Sequence, residues 1–375
     1  MIVRFRLFYF ICLYQNKIAK AIKKHYLCSR NKIIAEMKST KIIILISMLL
    51  LSAPTVIGNE KDKSFDNQCK TERKIFLNNM PSDLQQKQKE AILKAIDGDS
   101  KDLQVVRTGR NSVATISENV IAEEISATAR LYKPKKTDKK LPILIYLHGG
   151  GWTIGSINSC SAYCNALAST EEVIVLAINY RLAPEFPFPF AIEDCINAYL
   201  LALEKAEAWG GDPSKISIGG DSSGGNLALA TALQIKRDKL PKVKSLILFY
   251  PVVKAYADKS SSWKKYGKKY GLNSDIMIAF NNAYTMGRNI AYDPLISIYH
   301  AGENELKELP KILFVAAGKD ILFDQGKAFC KKVTGLGVKV ERHEFSESCH
   351  LFITVKGQPT AFNKSVELTK QFLCK

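Results

Sequence analysis

Five apolar runs rich in β-branched residues recur along the chain, at 142–147, 173–178, 215–218, 243–250 and 311–316, and a more polar strand-like run follows at 338–345. Stretches with helical spacing separate them, near 159–170, 190–208, 223–236 and 324–335, and another follows at 358–373. A strand that is apolar along its whole length, not at alternate positions, needs cover on both faces. Such strands alternating with helices predict an α/β fold: a mostly parallel central sheet flanked by helices. Upstream, 113–116 and 121–132 also read as strands, and Pro81-Ser82-Asp83 opens a helix carrying Leu84, Ala91, Ile92 and Ile96 on one face. Residues 252–305 break the rhythm, being polar, aromatic-rich and partly helical with no strand. An insertion of that kind between two strands predicts a cap above the C-terminal edge of the sheet, where open α/β sheets hold their sites.

The formal charge of +18 invites a nucleic-acid reading, so its location matters. Residues 1–58 hold ten Lys/Arg against one acidic residue, Glu36, and account for half of it. Elsewhere the basic residues are scattered, with short clusters at 133–140 and 264–269 that no aromatic residues interleave in a single-strand-binding pattern. Nucleic acid is therefore excluded as the expected partner. From Met37, Lys38 and Lys41 lead into the apolar run 42–51 and then small residues up to Gly58. That order fits a secretory signal, and the run is short for a membrane span. The expectation is a targeting region over 1–58 with Met37 as a possible true start, or else a membrane-proximal anchor, followed by one α/β domain over 59–375. Seven of the nine cysteines follow Gly58. Cys160 and Cys164 stand at i, i+4, but no Cys/His pair at metal spacing follows, so no metal and no cofactor is expected. Buried thiols or one or two disulfides are the expected states.

The strongest chemical signal begins at the third apolar run. Lys215-Ile-Ser-Ile-Gly-Gly-Asp-Ser-Ser-Gly-Gly-Asn226 leads a strand into Gly220-x-Ser222-x-Gly224 and directly into a helix. Gly-x-Ser-x-Gly alone is a weak motif; between a strand and a helix it is the setting of a nucleophile elbow, with Ser222 exposed above the sheet. A glycine-rich turn with an N-capping serine would look similar, and Ser223 keeps that alternative open. Serine proteases of the chymotrypsin type also carry Gly-Asp-Ser-Gly-Gly, but they are all-β with His and Asp upstream, and neither holds here.

A second run, His148-Gly149-Gly150-Gly151-Trp152, follows a strand directly. Acyl transfer builds negative charge on a carbonyl oxygen, and successive glycines can turn backbone amides toward it. Gly149, Gly150 and Ser223 are the expected oxyanion donors, His148 a hydrogen-bonding brace for the loop, and Trp152 a pocket wall or a packing residue. Of the three histidines after Ser222, His343 falls within a strand and His300 in the cap. His350 lies in a loop after the last strand, where a base could reach the elbow. Asp320 follows the strand at 311–316 and is the expected acid; Asp324 reads as a helix cap. Arg181 and Glu185 read as loop-fixing ion pairers.

Taken in order, HGGGW (148–152), NYRLAPE (179–185), FPFPFAIEDC (186–195), GDSSGGN (220–226), DPLIS (293–297), GKDILFDQG (318–326) and CHLF (349–352) resemble the hormone-sensitive-lipase-like esterases, a group that includes arylacetamide deacetylases. The similarity runs from about residue 140 to the C-terminus. It implies an α/β-hydrolase core with an N-terminal helical cap and metal-free hydrolysis of short-chain or aryl esters. By motif it carries the triad to Ser222, Asp320 and His350, and the oxyanion hole to Gly149, Gly150 and Ser223. Departures are Ser223 where alanine is usual, Phe186 after the glutamate, and DILFDQG for DPLRDEG; none removes a reacting group. The same triad would serve an arylamide or formamide amidase, whereas a small-molecule receptor of this fold would lack His350. Parts of the cap are expected at 80–100 and 252–305.

Overall fold

In a computed structural model describing residues 63–108, 113–126 and 128–375, the apolar runs form strands close to where the sequence places them. β1 (Val120–Ser126) and β2 (Ala129–Pro134) pair as an antiparallel hairpin. β3 (Leu141–Leu147), β4 (Ile174–Ile178), β5 (Gly211–Asp221), β6 (Ser245–Phe249), β7 (Lys311–Lys319) and β8 (Val340–Cys349) complete an eight-stranded sheet in the order β1-β2-β4-β3-β5-β6-β7-β8. From β4 to β8 every pairing is parallel, and β2 joins β4 antiparallel.

Helices cover both faces. α4 (Ser161–Ala168) and α11 (Pro359–Cys374) pack on one, where Tyr163, Leu167, Leu368 and Phe372 meet Leu144, Tyr146, Ile247 and Phe249. α5 (Phe190–Lys205), α6 (Ser223–Arg237) and α10 (Phe323–Gly335) pack on the other, where Ala191, Leu227 and Phe329 belong to the cluster of Ile143, Ile145, Ile218 and Leu246. Neighbours along β3 enter opposite clusters, and every residue of β3 is buried. Each such Leu or Ile side chain contributes about 1.5–3 kcal/mol on burial, which is why these strands tolerate no polar alternation.

Ahead of the sheet run α1 (Lys63–Asn79), α2 (Leu84–Ile96) and α3 (Lys101–Thr108); between β6 and β7 lie α7 (Ser261–Tyr266), α8 (Ser274–Thr285), a 3₁₀ turn (Ile298–His300) and α9 (Glu303–Leu306). The helix expected from residue 81 onward forms as α2. Residues 113–116 form no strand: Ala114 N–H donates to Ser161 Oγ and Ser117 N–H to Asn165 Oδ1, so side chains of α4 take the hydrogen bonds a sheet neighbour would have made. Asp324 lies inside α10 and caps a different helix, its Oδ2 accepting Ser262 N–H at the start of α7. The expected targeting segment, with Met37 and the run 42–51, lies outside the described residues. Among the described residues no helix is long and apolar enough to cross a membrane. Their seven cysteines are free thiols, six buried and Cys374 exposed.

Candidate active site

Strand register assembles the site. Leu147 of β3 pairs with Gly220 of β5, so His148-Gly149 and Asp221-Ser222 leave neighbouring strands at one level. Lys319 of β7 pairs with Cys349 of β8, so Asp320 and His350 emerge side by side. Ser222 sits between β5 and α6 with φ 55° and ψ −118°, a conformation non-glycine residues rarely hold. Gly224 makes the sharp turn possible, because a Cβ there would run into the Leu147 carbonyl. The turn is held by Ser222 N–H donating to Phe249 O (2.9 Å) and Val252 N–H donating to Ser222 O (3.1 Å).

The structure brings Ser222, His350 and Asp320 together. His350 Nε2 lies 2.9 Å from Ser222 Oγ, and Nδ1 lies 2.6 Å from Asp320 Oδ2. A carboxylate accepts, so Nδ1–H donates to Asp320 and Nε2 is left to accept the serine hydroxyl. Asp320 is steadied by Leu322 N–H on Oδ1 (3.0 Å). Asp320 and His350 are each 1% exposed and Ser222 6%, so this chain of hydrogen bonds is shielded from water up to the hydroxyl. Tyr250 packs its ring 4.4 Å from the imidazole, and Gln358, ahead of α11, grips the strand end: its Oε1 accepts Cys349 N–H and its Nε2 donates to the carbonyls of Cys349 and His350.

The glycine run differs from expectation in one residue. Gly149 N–H already donates to Asp221 Oδ1 at 3.0 Å. The amides of Gly150, Gly151 and Ser223 have no backbone or side-chain acceptor among the described residues. Asp221 also accepts from Tyr146 Oη (3.0 Å), and burial pushes its carboxyl up to about 6 against those two bonds. His148 is wholly buried, stacked on Tyr180, with Nδ1 2.8 Å from Gly149 O, and burial pushes its imidazole down to about 4. Neutral at pH 7, it donates from Nδ1 to that carbonyl and braces the loop.

Above these groups lies a cleft of about 600 Å³, including its open mouth, reaching Ser222 and His350. Met80, Leu84, Gln85 and Gln88 line it from the N-terminal helices, and Leu272, Ile276 and Phe280 from the insertion.

Known proteins match in the same region. The model of the alpha/beta hydrolase fold family matches residues 144–354, more than half of the chain. The chain belongs to the α/β-hydrolase family. An arylesterase of Saccharolobus solfataricus is 34% identical over 234 residues, covering 62% of this chain and 74% of the relative. An ethyl acetate hydrolase of Pseudomonas putida is 34% identical over 215 residues, 56% of this chain and 67% of the relative. A hyperthermophilic esterase from the archaeon Pyrobaculum calidifontis superposes with a TM-score of 0.63 at 27% identity, over 75% of this chain and 95% of that one. The resemblance read from the motifs and the expected fold class both hold.

Other groups of this α/β hydrolase fall where the sequence gave less guidance. Trp152 is not on the cleft wall: wholly buried, it stacks on Tyr284 of α8 with ring centroids 4.6 Å apart, behind the glycine run. His343 lies within β8 beside Glu341, and His300 bonds Tyr256 Oη, both away from the cleft. Arg181 pairs with Asp194 and Glu193, and Glu185 with Arg107 of α3, fixing the loop after β4. Asp221, Gly151, Gln358 and the two cleft glutamines escaped the sequence reading. Only Gly151 had a signal, as the third member of a glycine run whose first amide sits too close to the elbow.

Proposed function

We propose that this protein hydrolyses short-chain or aryl carboxylic esters through an acyl-enzyme on Ser222. The observation that carries the reading is the unbroken relay Asp320–His350–Ser222, at 2.6 and 2.9 Å and closed to water. Ser222 attacks the ester carbonyl while His350 Nε2 takes the hydroxyl proton, and Asp320 holds the imidazole in the accepting tautomer and stabilises the imidazolium. The carbonyl oxygen, now negative, rests on the amides of Gly150, Gly151 and Ser223. The imidazolium protonates the leaving alcohol. Water, activated by the same imidazole, then releases the acid and restores the serine.

The names of the relatives support an ester as substrate, and the small apolar cleft supports a short acyl chain or a ring. A fluorophosphonate probe should label the protein at Ser222, and p-nitrophenyl esters of rising chain length should show turnover falling beyond short acyl chains. An unlabelled protein, or one labelled equally after Ser222→Ala, would overturn the assignment.

A further inference from the structure

The three glutamines near the start of α2 have different roles. Gln86 faces solvent and donates to Glu90. Gln85 is fully engaged: its Nε2 donates to Gly271 O and its Oε1 accepts Asn273 N–H, both at 2.7 Å, which ties α2 to the insertion. Gln88, three residues on from Gln85, is 5% exposed and lines the cleft, yet no protein group takes either end of its amide among the described residues. The amide atoms keep some exposure on the cleft side, so they are solvated while the cleft is open; a substrate that covers them without a hydrogen bond would leave two donors and an acceptor unpaired, which is costly.

The surroundings say what kind of partner fits. Leu84, Ile276 and Phe280 share the wall with Gln88, and among the described residues no Lys, Arg, Asp or Glu lines the cleft. A charged substrate group would enter an apolar wall with no counter-charge. A plain alkyl chain would bury the amide unsatisfied. A neutral group that can both donate and accept is the complement.

We infer that Gln88 is a substrate-recognition residue, and that the preferred ester carries a hydroxyl or carboxamide on the part that lies beneath α2 and α8. This inference rests on the hydrolase reading above. A site built to hydrogen-bond such a group discriminates against the analogue lacking it, because the analogue leaves the site's own polar atoms unpaired.

The test uses matched ester pairs that differ only in a terminal hydroxyl or methyl, in two series. One moves that terminus along the acyl chain, the other along the alcohol part. The purified wild-type protein should show, at one position, a kcat/KM about tenfold higher for the hydroxyl member, the size expected of one neutral hydrogen bond. Gln88→Met should bring that ratio to one or below, slowing the hydroxyl ester and speeding the methyl ester. The wild-type series alone can defeat the idea, whatever the variant's folding, by showing no position of preference. A preference that persists in Gln88→Met also overturns it, while leaving the hydrolase reading intact. If the wild-type protein cleaves none of these esters and takes no fluorophosphonate label, both readings fall together.

Discussion

Asp221 Oδ1 accepts the Gly149 amide at 3.0 Å, joining the residue before the proposed nucleophile to the first glycine of the loop that faces it. With Gly149 turned toward Asp221, the next two amides are free for the substrate carbonyl. Asp221→Ala should therefore let the glycine loop drift and lower kcat on p-nitrophenyl butyrate by about 10²-fold, near the cost of losing one oxyanion donor. Asp221→Asn keeps an acceptor and should stay within about tenfold of wild type. An alanine variant with undiminished kcat would remove the positioning role.

The same carboxylate and His148 make opposite contributions to stability against pH. Asp221 titrates at about 6 in the fold, above its unfolded value, so its contribution is full below about pH 4 and is lost as pH rises through 6. His148 titrates at about 4, below its unfolded value, so its contribution is full above about pH 6.5 and is lost as pH falls through 4. Each is on the order of 3 kcal/mol, and between pH 4 and 6 they nearly cancel. Asp221→Asn should make stability climb with pH across that window, and His148→Gln should make it decline. Urea midpoints at half-unit steps would reveal the slopes; equal slopes in both variants would contradict the assignment.

The sheet was legible because its central strands are buried on both faces, and burial leaves a continuous apolar run. The elbow was legible because a strand, a glycine turn and a helix occur in immediate succession, and the position of His350 because it follows the last strand directly. α1 was not: only Cys69, Arg73 and Phe76 of it are buried, and it is held by polar links such as Asp66 to Ser346 and Glu72 to Thr360, which leave no periodic apolar stripe. Residues 113–116 look like a strand locally, but their partners on α4 are about 50 positions away in sequence. The choice between Gly149 and Gly151 depended on Asp221, a contact across two strands that no spacing encodes.

Asp320 and Asp324 are four residues apart but have separate roles, which a pair of isosteric changes should expose. Asp320→Asn disturbs the tautomer of His350 and should lower kcat by about 10⁴-fold. Asp324→Asn weakens only the capping of α7 through Ser262, costing about 0.5–2 kcal/mol of stability with kcat nearly unchanged. Ser222→Ala and His350→Ala should each lower kcat by about 10⁶-fold, and the double variant should be no worse, since the residues act as a unit. Steady-state kinetics beside thermal melts would separate the two aspartates, and a catalytic collapse in Asp324→Asn would exchange their roles.

Gln358 holds the imidazole by its backbone. Its side chain accepts Cys349 N–H (3.0 Å) and donates to Cys349 O (3.3 Å) and His350 O (3.2 Å), all within the buried interior where β8 gives way to the loop. The Nε2 bond to Ser222 fixes one side of the ring, the Asp320 bond fixes the other, and Gln358 fixes the main chain from which the ring hangs. Gln358→Ala strands those groups unpaired, which should cost about 1–3 kcal/mol of stability. It should also lower kcat more than it raises KM, by about 10- to 100-fold, since a reacting group displaced by an ångström loses on that order. Gln358→Glu retains the acceptor for Cys349 N–H but loses both donations, so its kcat should lie between alanine and wild type. Stopped-flow acylation with p-nitrophenyl acetate measures the step in which His350 must meet Ser222. If alanine at 358 leaves that rate untouched while lowering the melting temperature, the glutamine supports the fold and not the geometry of the base.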